Sequence, residues 1–373
     1  MPFDNFHQTC YTQGMKQTMF LKLAPTPEQH HALLETMHAF NAACDYIAAQ
    51  AFEARVANKF ELQKMTYGEL RTTYKLPAQL AIRAISKASD VYKRDKSIKP
   101  TFRPEGAIVY DERVMSFKGL NTVSLLTLSG RVLVPFRIGG YQESRLDRIK
   151  GQADLIYRGG VFYLAVTLDV PEPEPDEPQG TLGVDLGIVN LATDSEGESF
   201  SGEQVEANRK RHQALRQRLQ KRGTKDAKRH LKKLSGREAR FKKNTNHVIS
   251  KRIIQKAKQN SQAIAIEDLR HIRKRTDSTV RRSQRSKQSS WAFGQLRSFL
   301  SYKAALRGVP LHTVDPRNTS RTCSACGHCA KENRKSQASF CCVQCGHTDN
   351  ADRNAAINIS RAAVKQPIAA GRA

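Results

Sequence analysis

Acidic side chains are scarce in this sequence, and long apolar runs are missing from it. Its 373 residues hold 35 Asp and Glu against 62 Lys and Arg, a formal charge of +27. No stretch approaches the roughly 18–20 consecutive apolar residues that a membrane-crossing helix needs, and none has the apolar core of a signal peptide. These absences argue against a membrane protein and leave a nucleic acid as the natural partner for so much positive charge. A disulfide framework is missing too. Six of the eight cysteines fall between Cys323 and Cys345, and only Cys10 and Cys44 stand apart. That clustering argues for metal and for a reducing compartment rather than for cross-links. No internal repeat is visible.

The charge that is present is concentrated. Between Ala207 and Lys287 there are 28 Lys and Arg and 5 Asp and Glu, a balance of +23 that carries nearly the whole excess. Solvated helix faces mix both signs, whereas one-signed density of this kind suits a surface that tracks phosphates. Lys232, Lys233, Lys242, Lys243, Arg273, Lys274 and Arg275 are the candidate contacts within it.

Along the chain, Lys16–Leu23 reads as a strand, followed by Thr26-Pro27-Glu28-Gln29. That tetrad joins an N-cap Thr, Pro at the first helical position and Gln three residues after the cap. The helix it opens carries Leu33, Leu34, Met37, Phe40, Cys44 and Ile47 at core spacing. A second helix is predicted from Pro77 through Leu80, Ile85 and Ala88 toward Tyr92, with Gln79 and Arg83 on one face as candidate DNA-reading side chains. Short runs rich in β-branched and apolar residues follow: Ala107–Tyr110, Thr122–Leu128, Arg131–Phe136, Asp154–Tyr157 and Val161–Leu168. Ser129-Gly130 and Gly159-Gly160 sit where hairpin turns belong. A β-barrel or sandwich is expected here. The alternating Pro and acid of residues 171–178 then make a stiff linker and the clearest boundary in the chain. Beyond it, strands at Thr181–Asp185 and Val189–Thr193 precede long basic helices, from about Gln204 to Lys258. A strand at Gln262–Ile266, a helix at Trp291–Leu306, a strand at Val309–Val314 and a last helix from Asp352 to about Val364 complete a mixed sheet covered by helices.

Three acids hold positions that apolar burial would not choose. Asp185 lies within Leu182-Gly183-Val184-Asp185-Leu186-Gly187, where a buried charge needs a cation or donors. Gly183 and Gly187 leave room for another backbone or a ligand to come close. Glu267 ends the apolar run Ala263–Ile266, and Asp352 opens a helix, where an acid is otherwise an ordinary N-cap. Acids at these three places can converge at one sheet edge and hold two magnesium ions about 4 Å apart for phosphodiester hydrolysis. Asp268 and Asp349 are the rivals. Asp268 is expected on the opposite face of its strand from Glu267, and Asp349 outside the helix. Cys323-Ser324-Ala325-Cys326 and Cys342-Val343-Gln344-Cys345 are paired CxxC motifs fifteen residues apart, the pattern of a closed, structural zinc ribbon with four thiolate ligands. Cys329 and Cys341 are spare thiols, and His328 and His347 read as surface residues rather than ligands.

Gly183-Val184-Asp185-Leu186-Gly187, then Ile266-Glu267-Asp268-Leu269, the twin CxxC, and Asn350-Ala351-Asp352-Arg353-Asn354-Ala355-Ala356-Ile357-Asn358-Ile359 resemble the TnpB family in motif, order and spacing. Thr319-Ser320-Arg321-Thr322-Cys323 and Leu23–Gln29 are similar to family patterns as well. These are transposon-encoded relatives of the compact type V CRISPR effectors, and the likeness is dense from Gly183 to Ile359. It implies a magnesium-dependent, RNA-guided DNA endonuclease with a ribonuclease H-like (RuvC) core using Asp185, Glu267 and Asp352. Implied with it are a zinc-ribbon insert and an N-terminal β-barrel with a helical insert. The implied partners are a guide RNA from the transposon end and target double-stranded DNA beside a short protein-read motif. Base pairing then supplies most of the specificity. No membrane is involved, a monomer is favoured, and the setting is the prokaryotic cytoplasm with its nucleoid.

The expected organisation is therefore an extension of residues 1–14 that lacks a packing pattern, with Met15 the expected family start, and a barrel from 15–24 and 105–170. A helical recognition insert spans 25–104 and a linker 171–180. The nuclease domain takes 181–320 and 349–364, the ribbon 321–348, and 365–373 is a tail. A guided repressor that does not cut would have lost catalytic acids, and all three are present. A transposase could share the triad, but the ribbon between the second and third acids favours TnpB. A junction resolvase would not have so long an N-terminal half.

Overall fold

The computed structural model describes residues 15–171, 173–268 and 291–365. The chain divides into two compact units, Met1–Pro171 and Glu172–Ala373, the boundary falling on the Pro-rich stretch. The expectations for residues 1–14 and for Arg273, Lys274 and Arg275 lie outside the described residues.

In the first unit β1 (Met15–Leu23) leads into α1 (Pro27–Glu53) through the expected cap. Gln29 N donates to Thr26 Oγ1 at 3.3 Å and Thr26 N donates to Gln29 Oε1 at 3.1 Å, a reciprocal box that satisfies two otherwise orphaned amides. α2 (Lys59–Thr72) starts on Asn58 and has no counterpart among the elements expected from the sequence, because it buries only Leu62, Thr66 and Leu70. α3 (Ala78–Arg94) packs Leu80, Ala84, Ile85 and Ala88 into the same helical core as Met37, Phe40, Cys44 and Ile47 of α1.

The sheet of this unit also contains β2 (Ile108–Tyr110), β3 (Met115–Lys118), β4 (Thr122–Thr127), β5 (Gly130–Arg137), β6 (Ile149–Arg158) and β7 (Val161–Val170), in the order β2-β6-β7-β1-β5-β4-β3. A one-turn helix, α4 (Gly140–Glu143), lies between β5 and β6. Every pairing is antiparallel, and the first strand sits in the middle. The two edge strands, β2 and β3, are joined by the short turn at Asp111–Val114. Tyr110 on one edge donates its hydroxyl to Leu126 O on β4 at 2.8 Å, so the sheet curls into a nearly closed barrel. Leu21, Leu23, Val134, Phe136, Leu155, Leu164 and Val166 alternate into its interior.

The second unit is built on β8 (Gly180–Asp185), β9 (Asn190–Asp194), β10 (Ser199–Ser201), β11 (Gln262–Glu267) and β12 (Leu311–Val314), ordered β10-β9-β8-β11-β12. The β8–β11–β12 half is parallel and the β8–β9–β10 half antiparallel. Two long basic helices, α5 (Glu203–Arg222) and α6 (Lys225–Gln259), separate β10 from β11. Ile249, Ile253 and Ala257 of α6 and Leu296, Leu300 and Ala304 of α7 (Phe293–Ala305) cover one face of the sheet with Leu182, Val184, Ile264 and Ile266. On the other face α8 (Ala351–Lys365) lays Ile359 and Ala363 on Ala265 and Val314. α8 lies so near β8 that a Cβ on Gly183 would come within 2.0 Å of Ala356 O and 2.6 Å of Ser360 N. The room left by that glycine is therefore taken by another backbone. Between β12 and α8 come the cysteine motifs and a small hairpin of β13 (Ser339–Cys341) and β14 (Thr348–Asn350). No helix among the described residues is long and apolar enough to cross a membrane.

Candidate active site and metal centre

Parallel strands end together, and that places the first two acids. Val184 of β8 is opposite Ile266 of β11, so the next residues, Asp185 and Glu267, reach the same sheet edge. The third comes from α8, one turn before the Ala356 that rests on Gly183. Asp352 does not cap its helix. Asn350 does, accepting from Asp352 N at 3.0 Å and Arg353 N at 3.2 Å, which frees the Asp352 carboxylate for the cluster. Asp352 is 4% exposed, and it accepts from Asn190 Nδ2 at 2.9 Å and Arg334 at 3.4 Å.

Asp185 feels the other two charges. Burial first, then the charges of Glu267 and Asp352, push the Asp185 carboxyl up to about 7, with Arg334 opposing. Burial raises Glu267 also. Its opponents are a hydrogen bond from Thr319 and the charge of Arg334. The rivals are engaged elsewhere: Asp268 pairs with Arg297 on α7 at 2.7 Å, and Asp349, on β14, with Arg353 at 3.4 Å. Three converging carboxylates are the oxygen donors a hard divalent cation takes. The acids do not form a group with all ligand oxygens within 4.8 Å; among the described residues only four cysteines do.

Those four are Cys323, Cys326, Cys342 and Cys345. The Cys323–Cys345 sulfurs are 3.7 Å apart and the Cys326–Cys342 sulfurs 3.6 Å. A tetrahedron of zinc–sulfur bonds near 2.3 Å has edges of about 3.8 Å, so the set fits zinc. Two matched turns build it: Gly327 N donates to Cys323 O and Gly346 N to Cys342 O, both glycines in the left-handed region. The amides of Cys345 and Gln344 hold the Cys342 thiol down at about 6, toward the thiolate that metal requires. Cys329 and Cys341 stay outside the group, as do His328 and His347.

The ribbon is bolted to α8 by a row of asparagines. Asn354 accepts from Ser324 N at 2.9 Å and donates to Thr322 O at 2.9 Å. Asn358 donates to Thr319 O at 2.9 Å and Thr322 O at 2.7 Å. Asn354 and Asn358 are thus an i, i+4 pair that grips the ribbon's root, a signal legible in its spacing. Asn190 lies in an expected strand and Thr319 in a family-like pattern, but neither carries a mark of its role. Arg334 lies in the spacer between the CxxC pairs, where nothing in the sequence distinguishes it.

Of the candidate nucleic-acid contacts, Lys232, Lys233 and Lys243 are exposed on α6 and Lys242 is half-buried. Gln79 and Arg83 both donate to Asp111, Gln79 at 2.8 Å. Their hydrogen bonds hold the Asp111 carboxyl below the usual range. Sequence patterns gave no sign of a pocket of about 270 Å³ between α6 and α7, lined by Lys251, Lys303 and Arg307. None of the three meets a carboxylate among the described residues, and beside it His247 stacks on Phe299 with centroids 4.0 Å apart.

Two family models cover consecutive parts of the chain: one described as "Probable transposase" matches residues 164–287, and one described as "Cas12f1-like, TNB domain" matches 293–359. The TnpB-like protein MJ0751 of Methanocaldococcus jannaschii is 32% identical over 129 residues, 35% of this chain and 45% of that one. The chain is thus similar in sequence to TnpB-like, transposase and Cas12f proteins. InsQ of Escherichia coli K12, whose name provisionally makes it an RNA-guided DNA endonuclease, is 26% identical to this chain over 304 residues, 76% of this chain and 73% of InsQ. Of its other curated relatives, the Cas12f and TnpB-like proteins, the chain spans 29% to 46% of the length. In fold, it is similar to Cas12f1 as solved in a complex with sgRNA and target DNA. The TM-score is 0.64 at 14% identity, over 93% of this chain and 99% of that one.

Proposed function

We propose that this chain is an RNA-guided DNA endonuclease, with Asp185, Glu267 and Asp352 as its catalytic carboxylates. The observation that carries the proposal is their arrival, from two parallel strands and a late helix, at one edge of a sheet where their charges interact. The names of InsQ and the Cas12f relatives, and the RNA–DNA complex of the structural neighbour, support the same reading. The three carboxylates would hold two magnesium ions, which when bound supply Lewis acidity and an activated water. The chain's own part is to keep those carboxylates oriented. Asn190 holds Asp352 and Thr319 holds Glu267, while the Arg334 guanidinium offsets their mutual repulsion. The four cysteines would hold one structural zinc.

In this proposal the barrel (15–24 and 105–170) and its helical insert (25–104) form the recognition half. The nuclease domain is 181–320 with 349–364, and 321–348 is its ribbon. Exposed Lys232, Lys233 and Lys243, with Lys242 and the Lys251–Lys303–Arg307 pocket, offer phosphate contacts for guide and heteroduplex. For Gln79 and Arg83 to read DNA they must first exchange Asp111 for a base.

The protein is to be purified with the transcript of its own gene's downstream flank, with and without ribonuclease treatment, and given plasmid DNA in magnesium. Cutting should need the RNA and should move to a new site when the guide segment is changed. Equal cutting by RNA-free protein, or a cut site indifferent to the guide, refutes the proposal. The second outcome would favour DNA-end breakage of the kind the "Probable transposase" description names.

A further inference from the structure

We infer that Thr319 is the positioning residue of Glu267, so that the root of the cysteine ribbon sets the orientation of the second acid. This rests on the endonuclease reading above. Glu267 has one more rotatable bond than either aspartate and so the most freedom to lose. The Thr319 hydroxyl is the one hydrogen-bond donor that reaches its carboxylate among the described residues. Asp352, by contrast, is held by both Asn190 and Arg334.

Thr319 is itself fixed from several sides. It is 8% exposed, its hydroxyl also lies 3.1 Å from Pro316 O, and its own carbonyl accepts from Asn358 of α8. Just before it Asn318 takes the left-handed conformation, φ 65°, and its carbonyl accepts from Arg321 N and Thr322 N. That tight turn delivers Thr319 to Glu267 on one side and Cys323 to the four-thiol group on the other. The hydroxyl therefore ties the second acid to the ribbon root, and Asn358 ties the root to the helix that bears the third. An outer hydrogen bond of this kind to a metal-holding carboxylate is worth about 10–100-fold in metal affinity or activity.

The alternative is that Thr319 merely closes its own turn onto Pro316 O, and two variants separate the roles. Thr319→Val keeps the shape and removes the hydroxyl; Thr319→Ser keeps the hydroxyl. In the protein–RNA complex, Thr319→Val should cut at least about 10-fold more slowly in single turnover. It should also bind Mn2+ more weakly by electron paramagnetic resonance, with zinc content and target affinity unchanged. Thr319→Ser should restore both cutting and Mn2+ binding. The inference is overturned if Thr319→Val cuts and binds Mn2+ like the wild type, if Thr319→Ser fails as badly, or if the loss comes with loss of zinc or target binding. A wild-type complex that cuts, an Asp185→Ala complex that does not and a Thr319→Val complex that cuts normally would overturn this inference alone. A wild-type complex that never cuts guided DNA would overturn the function itself.

Discussion

At the scale of single residues, Asp185 occupies a place where a negative charge is costly, and it answers by holding its proton up to about pH 7. The sign of the consequence follows from linkage. The folded-state value lies above the ordinary 3.8, so without divalent metal the carboxyl contributes no penalty in acid. It destabilises the fold progressively as pH rises through the interval up to about 7. Asp185→Asn should therefore melt like the wild type near pH 4 and above it at pH 8 in EDTA, and magnesium should stabilise the wild type more at pH 8 than at pH 5.5. A melting difference independent of pH would contradict the burial argument. In the proposed reaction the same carboxylate cannot be spared. Asp185→Ala, Glu267→Ala and Asp352→Ala should each abolish cutting, while RNA and target binding stay within about threefold, because none of the three meets a phosphate in this scheme. Near-normal cutting by any one variant in magnesium removes that residue from the triad.

At the scale of elements, the ribbon should depend on its metal. Cys342→Ser removes one of the four thiol ligands and should release the zinc and the hairpin of β13 and β14 together. Metal analysis that still finds one zinc per chain in that variant would count against the four-thiol site. On α6, changing Lys232, Lys233, Lys242 and Lys243 together to Ala should flatten the salt dependence of RNA affinity, by roughly 0.7–0.9 log units per tenfold salt for each phosphate no longer neutralised. An unchanged slope would clear that face of α6 of any role in RNA binding. Long elements with a strong pattern were legible in the sequence: α1 through its capping box, α6 through its leucine and isoleucine stripe, β7 and β11 through unbroken apolar runs. Elements with little to bury were not. The three-residue β10 and four-residue β3 carry too few side chains to show a period, and α2 buries only three. The site divides similarly. Acids and cysteines announce themselves because charge and thiols are rare in such settings. Asn190, Thr319 and Arg334 act through contacts across 162, 52 and 18 residues of chain, and no local pattern encodes those.

At the scale of the whole molecule, the order of the chain differs from the order in space. β1 comes first and lies at the centre of its sheet, between β7 and β5. α8 comes last among the described elements and closes on β8, the first strand of its unit. A chain stopped before residue 351 keeps the basic helices, the strands and two of the three acids, and loses Asp352 and the asparagine face that grips the ribbon. Such a truncation should bind RNA and cut nothing; any guided cutting by it would mean that the third acid lies elsewhere. The same geometry gives the protein a schedule. During synthesis at about 5–20 residues per second, the basic helices α5 and α6 leave the ribosome several seconds before the helix that bears Asp352. Under the proposed function, a nascent chain can thus take hold of an RNA, its own transcript included, before it has any means of cutting DNA.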